Sequence, residues 1–142
     1  MKKIIILLAV LLLTTESASA DKFLDDYNDY AKFVYGIDPV ECIESSVASS
    51  SYKNDKVTIF HYMWNDDRII GTDDLEVISA ACCVFRCVDN SGDRLDQYGR
   101  IMHAYFLAKA RDDGMQYHAA TLSGYTVWVQ ISNNTLYIKL VK

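Results

Sequence analysis

The sequence predicts an α+β domain in which two short N-terminal helices pack on one face of a mostly antiparallel, curved sheet of five to six strands. Three observations carry this reading. Apolar residues recur every three or four positions after residue 20, the period changes to two from Lys56 onward, and the C-terminal segment reads as a hairpin of definable register. At 142 residues the chain holds one compact domain and is too short for two ordinary ones, which excludes a multidomain enzyme.

Residues 1–20 stand apart from that domain. Met1-Lys2-Lys3 is a basic start, Ile4 to Leu13 an unbroken apolar run, and Ala18-Ser19-Ala20 a small-residue cleavage site. Together they have the form of a secretory signal peptide, with Asp21 as the first mature residue and 21–142 as the domain. The apolar run would span roughly 15 Å as a helix, about half a bilayer core, so no membrane span is expected. The chain is read as periplasmic or secreted. Losing Lys2, Lys3 and Glu16 leaves the mature chain one unit more acidic than the −5 of the full sequence, a charge that repels nucleic acid and anionic lipid.

Within the domain, Phe23/Leu24, Tyr27, Tyr30/Ala31 and Val34 draw one face of a helix over 22–35, and Gly36 supplies a left-handed stop. Asp38-Pro39-Val40-Glu41 reads as a second helix start, with Val40, Ile43 and Val47 as its apolar stripe and Ser49-Ser50-Ser51 as its end. From Val57 the alternation of Val57, Ile59, His61 and Met63 with Thr58, Phe60, Tyr62 and Trp64 predicts a strand. Residues 76–88 are read as a strand from Val77, Ile78, Val84, Phe85 and Val88, although Thr72-Asp73-Asp74 also suits a helix cap. Met102, Ala104, Phe106 and Ala108 alternating with His103, Tyr105 and Leu107 predict another strand, and 115–121 a shorter one. Asn133-Asn134 suits a two-residue type I′ turn, and pairing Ser132 with Thr135 sets Ile131 opposite Leu136, Val129 opposite Ile138 and Val127 opposite Leu140. Asn133-Asn134-Thr135 also fits a glycosylation sequon, but the bacterial look of the leader favours hairpin chemistry.

Cys42, Cys82, Cys83 and Cys87 survive in the mature chain, and an oxidising compartment invites disulfides. On a strand, Cys83 and Cys87 lie about 13 Å apart, beyond disulfide reach, so the expected bridge joins Cys42 to one of Cys82, Cys83 or Cys87. The Cys82-Cys83-x3-Cys87 cluster lacks the spacing of zinc or thioredoxin-like sites. His61, His103 and His118 form no metal or nucleophile motif, although a Cys87–His103 pair can be drawn. Asp89, Asp93 and Asp96 lack the glycine and terminal glutamate of a calcium loop. No cofactor or metal is called for.

The remaining feature is a set of aromatics on the second sheet face: Phe60, Tyr62 and Trp64 on one strand, His103 and Tyr105 on another, and Trp128 and Tyr137 on the terminal hairpin. If helices cover the aliphatic face, these side chains form a surface for a protein partner, a small apolar ligand or a second copy. If the sheet closes on itself, they are core. The order of helices before sheet is similar to cystatin-like and NTF2-like layouts, a likeness of element order that carries no activity. The sequence is thus read as an exported, non-enzymatic binding protein, inhibitor- or immunity-like, whose acidity suits a basic partner. The alternative is a small pocket enzyme with a histidine and an acid in its cavity.

Overall fold

The computed structural model describes residues 22–142, so the signal-peptide reading lies outside the described residues. Helix α1 covers 22–30 and runs into a π-helical turn, Ala31–Tyr35. It stops where expected: Gly36 has φ 64° and its N–H bonds to the Ala31 carbonyl. Four strands follow as a meander, β1 Glu41–Ser45, β2 Ser49–Lys53, β3 Val57–Tyr62 and β4 Asp66–Gly71. Next come helices α2 Asp74–Val88 and α3 Arg94–Arg111, then strands β5 Gln116–Ala120, β6 Thr126–Ser132 and β7 Thr135–Val141.

The strands form one seven-stranded sheet in the order β1-β2-β3-β4-β7-β6-β5, with every neighbouring pair antiparallel. The α+β class and the antiparallel sheet match the expectation; the strand count and helix placement are corrected. The register of the last hairpin matches residue for residue, and Asn133 and Asn134 hold φ values of 52° and 60°.

The expected second helix is instead a loop and two strands. Asn28 of α1 donates to the Val40 carbonyl (3.1 Å) and accepts from the Val40 N–H (2.9 Å), which commits both backbone groups of that residue outside a helix. The β-branched and serine residues that follow have weak helix propensity, so this clamp prevails over the capping signal.

Residues 76–88 are helical rather than extended. Asp73 caps α2 by accepting from the Glu76 N–H (3.2 Å), and α2 packs over β3, β4 and β7 with Val77 through Ile78 and Ala80 through Phe85 buried. Burial on several sides turns a helix into a near-continuous apolar run, which reads like a strand. Residues 100–110 belong to α3, not to a strand. Asp93 caps it by accepting from the N–H groups of Leu95 (2.9 Å) and Asp96 (3.0 Å), and its buried Gln97, Ile101, Ala104 and Ala108 recur at helical spacing.

The core lies between the helices and one sheet face. Ile59, Ile69, Ile138, Leu136, Leu140, Val127 and Val129 are fully buried against Val77, Val84 and Phe85 of α2 and Ile101 of α3. Gly71 has no room for a side chain, because a Cβ there would run into the Lys56 carbonyl and the Val77 methyl. At the far end, Asp89 accepts from Gln97 Nε2 (2.9 Å) and Ser123 Oγ (2.5 Å), tying α2, α3 and the β5–β6 loop together.

No disulfide forms among the four cysteines. Cys42 is exposed on the outermost strand, while Cys82 and Cys83 are buried in α2 and Cys87 is half-buried near its end. The expected bridge required Cys42 on a helix packed over the sheet. Once that segment is an edge strand, β2 separates it from β3, the nearest strand that α2 packs over.

Candidate functional site

All three helices share one side of the sheet, and the period of two sends every second strand residue to the other. Among the described residues no helix covers that face. Phe60 and Tyr62 of β3, Trp128 of β6 and Tyr137 of β7 all lie on it, half-buried by their neighbours. Cross-strand pairing writes one lateral row: Phe60, Arg68, Lys139, Trp128 and His118. Across five strands it extends roughly 19 Å. His118 and Trp128 touch, with ring centroids 4.8 Å apart.

Trp64 lies in the β3–β4 turn rather than on the strand. It is 62% exposed and stacks on Tyr62 with centroids 5.5 Å apart, extending the aromatic surface past the ends of β3 and β4. His103 and Tyr105 do not join it, because α3 carries them on the opposite side of the sheet. His103 is exposed there, and the Tyr105 hydroxyl donates to Asp74 Oδ2 (2.5 Å).

Polar groups punctuate the open face. Arg68 forks onto Asp66, Nε to Oδ1 at 3.2 Å and Nη2 to Oδ2 at 3.1 Å, and its guanidinium lies 5.4 Å from the Tyr62 ring centre. Among the described residues Lys139 has no ion-pair partner. Beyond Phe60 and Tyr62 the face opens into a groove of about 480 Å³ lined by Glu44, Ser45, Ser46, Ser49, Ser50 and Ser51, a row of hydroxyls beside aromatic rings. Sequence reasoning missed Arg68 and Asp66, since β4 alternates for only two periods and its Asp66-Asp67-Arg68 start resembles loop.

A second constellation sits on the covered side. His61 of β3 lies opposite Asp67 of β4, with Nδ1 2.5 Å from Asp67 Oδ1. Asp67 is completely buried and its Oδ2 has no partner. Burial pushes this carboxyl up from its ordinary pKa, and the hydrogen bond and charge of His61 oppose the shift. Asp89, Asp93 and Asp96 have structural partners instead, Asp96 accepting from the Leu122 N–H (2.7 Å) and Arg100 Nε (3.1 Å).

Among the described residues there is no group of three or more histidine, cysteine or acidic side chains arranged for a metal, and no helix long and apolar enough to cross a membrane. No protein-family model, curated protein or solved structure matches this chain.

Proposed function

We propose that this is an exported, non-enzymatic binding protein, of the inhibitor or immunity kind, that engages a protein partner through the uncovered face of its sheet. The observation that carries the reading is the aromatic row itself: Phe60, Tyr62, Trp128 and Tyr137 share the face that none of the described helices covers, with Trp64 beside them. Large aromatics with polar tips, spaced by hydrogen-bonding groups, concentrate binding energy at interfaces. The acidic body favours a basic partner by long-range steering.

The enzyme alternative asks for a histidine and an acid in a cavity; His103 is exposed on α3, and His61, bonded to the buried Asp67, lines only a small open cleft on the covered side. The binding reading is tested by Trp128→Ala, which should retain the fold while weakening partner capture at least about tenfold. Retained capture by the folded variant would contradict it.

A further inference from the structure

Helix α3 carries one spacing pattern twice. Gln97, Ile101, Ala104 and Ala108 bury one side of it against the sheet, and Leu95, Gly99, Met102 and Phe106 repeat their steps two residues out of phase. At about 100° per residue the second set falls within an arc of about 60° on the solvent side. This alternation of four-residue and three-residue steps is the one that seats a helix against another helix. Leu95 is 83% and Phe106 60% exposed, with Met102 half-buried between them. Leu122 of the β5–β6 loop, 81% exposed, lies beside the N-terminal end of this seam, held by its N–H on Asp96 Oδ2 (2.7 Å).

Two residues of α3 cost the helix stability that the fold does not recover. Gly99 stands inside α3 without a positive φ, and a side chain there would meet no neighbouring element within 4 Å. Nothing in the domain needs a glycine at this point, and glycine is the weakest helix former after proline. Arg94 opens the first turn, at the positive pole of the helix dipole, and has no ion-pair partner among the described residues. A second helix seated on the seam accounts for both. The missing side chain at Gly99 lets the two backbones approach closely, and a carboxylate on the seated helix pairs with Arg94.

Charge selects the occupant. Asp96 is the one acid within α3, against Arg94, Arg100, Lys109 and Arg111, and it is already held by Arg100 Nε and the Leu122 N–H. Asp93 and Asp113 at the two ends are committed to the cap and to Tyr117. Lys109 reaches Asp74 at 3.4 Å while its side chain stays 60% exposed. A chain of net charge −5 thus surrounds this apolar seam with cations. A second copy would set that rim against itself. We propose that α3 docks an acidic amphipathic helix of a partner protein. The apolar residues of that helix pack on Leu95, Met102 and Phe106, its backbone comes closest at Gly99, and its carboxylates lie along the basic rim. This surface is on the helical side of the molecule, away from the aromatic face.

The test uses two fluorescein-labelled peptides of about 18 residues with leucine at heptad positions a and d, one with glutamate and one with lysine at e and g. Each is titrated with the full mature chain and followed by anisotropy. The glutamate peptide should bind with a Kd below about 100 μM, and the lysine peptide at least about tenfold more weakly. Phe106→Ala should weaken the glutamate peptide about tenfold. Gly99→Leu should weaken it at least as much while raising the melting temperature of the free chain, a pair of opposite changes that a purely structural glycine would not give. Sedimentation of the unliganded chain reports self-association. Absence of binding, equal affinity for the two peptides, unchanged affinity in the folded Phe106→Ala and Gly99→Leu variants, or a dimer of the chain that Phe106→Ala dissolves would overturn the proposal.

Discussion

Trp128 and Val129 are consecutive in β6 and lie on opposite sides of the sheet, the valine fully buried under the helices and the indole half-exposed beside His118. The same step of one residue separates the core from the face proposed for binding. Val129→Ala should lower unfolding free energy by about 2 kcal/mol through lost burial and residual cavity. Trp128→Ala should cost under about 1 kcal/mol, because its site can fill with water. Urea melts of both variants check the difference.

The terminal hairpin makes a local prediction. Asn133 and Asn134 hold positive φ, which most L-residues adopt at a cost of roughly 1–2 kcal/mol. Asn134→Ala should therefore destabilise by about 1 kcal/mol and Asn134→Gly should not. The two melting temperatures give the answer.

What was legible in the sequence follows from these local rules. The β6–β7 register could be written because a recognisable turn sat between two clean alternations, and Gly36 marked the end of α1. That partition already placed Phe60 and Tyr62 together and Trp128 with Tyr137. Segments whose burial is unusual were not legible. Helix α2 is covered on several sides and so loses its polar stripe, and the α3 cap at Asp93 is hidden in an acid-rich stretch. Strand β2 is rich in serine, and β1 is exposed along its whole length. The His61–Asp67 pair needed the register of β3 with β4, which exists only once β4 is known.

Asp67 ties pH to stability. Its folded pKa is raised by burial, so between the unfolded value near about 4 and the folded one the native state holds the proton more tightly. Stability from this group is therefore present at the acid end of that window and lost as pH rises through the folded pKa. Asp67→Asn removes this dependence, and its stability relative to the parent should increase as pH rises above the unfolded value and level off once the folded pKa is passed. Urea midpoints across that range would show it; a constant difference would contradict the assignment.

The thiols divide by position. Burial pushes Cys82 up to about 11 and Cys83 further, and burial with two nearby carboxylates holds Cys87 up at about 12. Cys42 is exposed on β1. Iodoacetamide at pH 8 should modify Cys42 at least about tenfold faster than the other three, which react together on unfolding. Peptide mapping after brief labelling reads the order.

The central claim is that the uncovered sheet face is where the partner binds. A photo-crosslinking residue, p-benzoylphenylalanine, replacing Tyr137 on that face or Phe106 on the outer side of α3, tests it most directly in cells that produce the protein. The account predicts a discrete adduct from position 137 that disappears when Trp128→Ala is added, and none of that mass from position 106. An adduct from position 106 alone, or one from position 137 that survives Trp128→Ala, would contradict it.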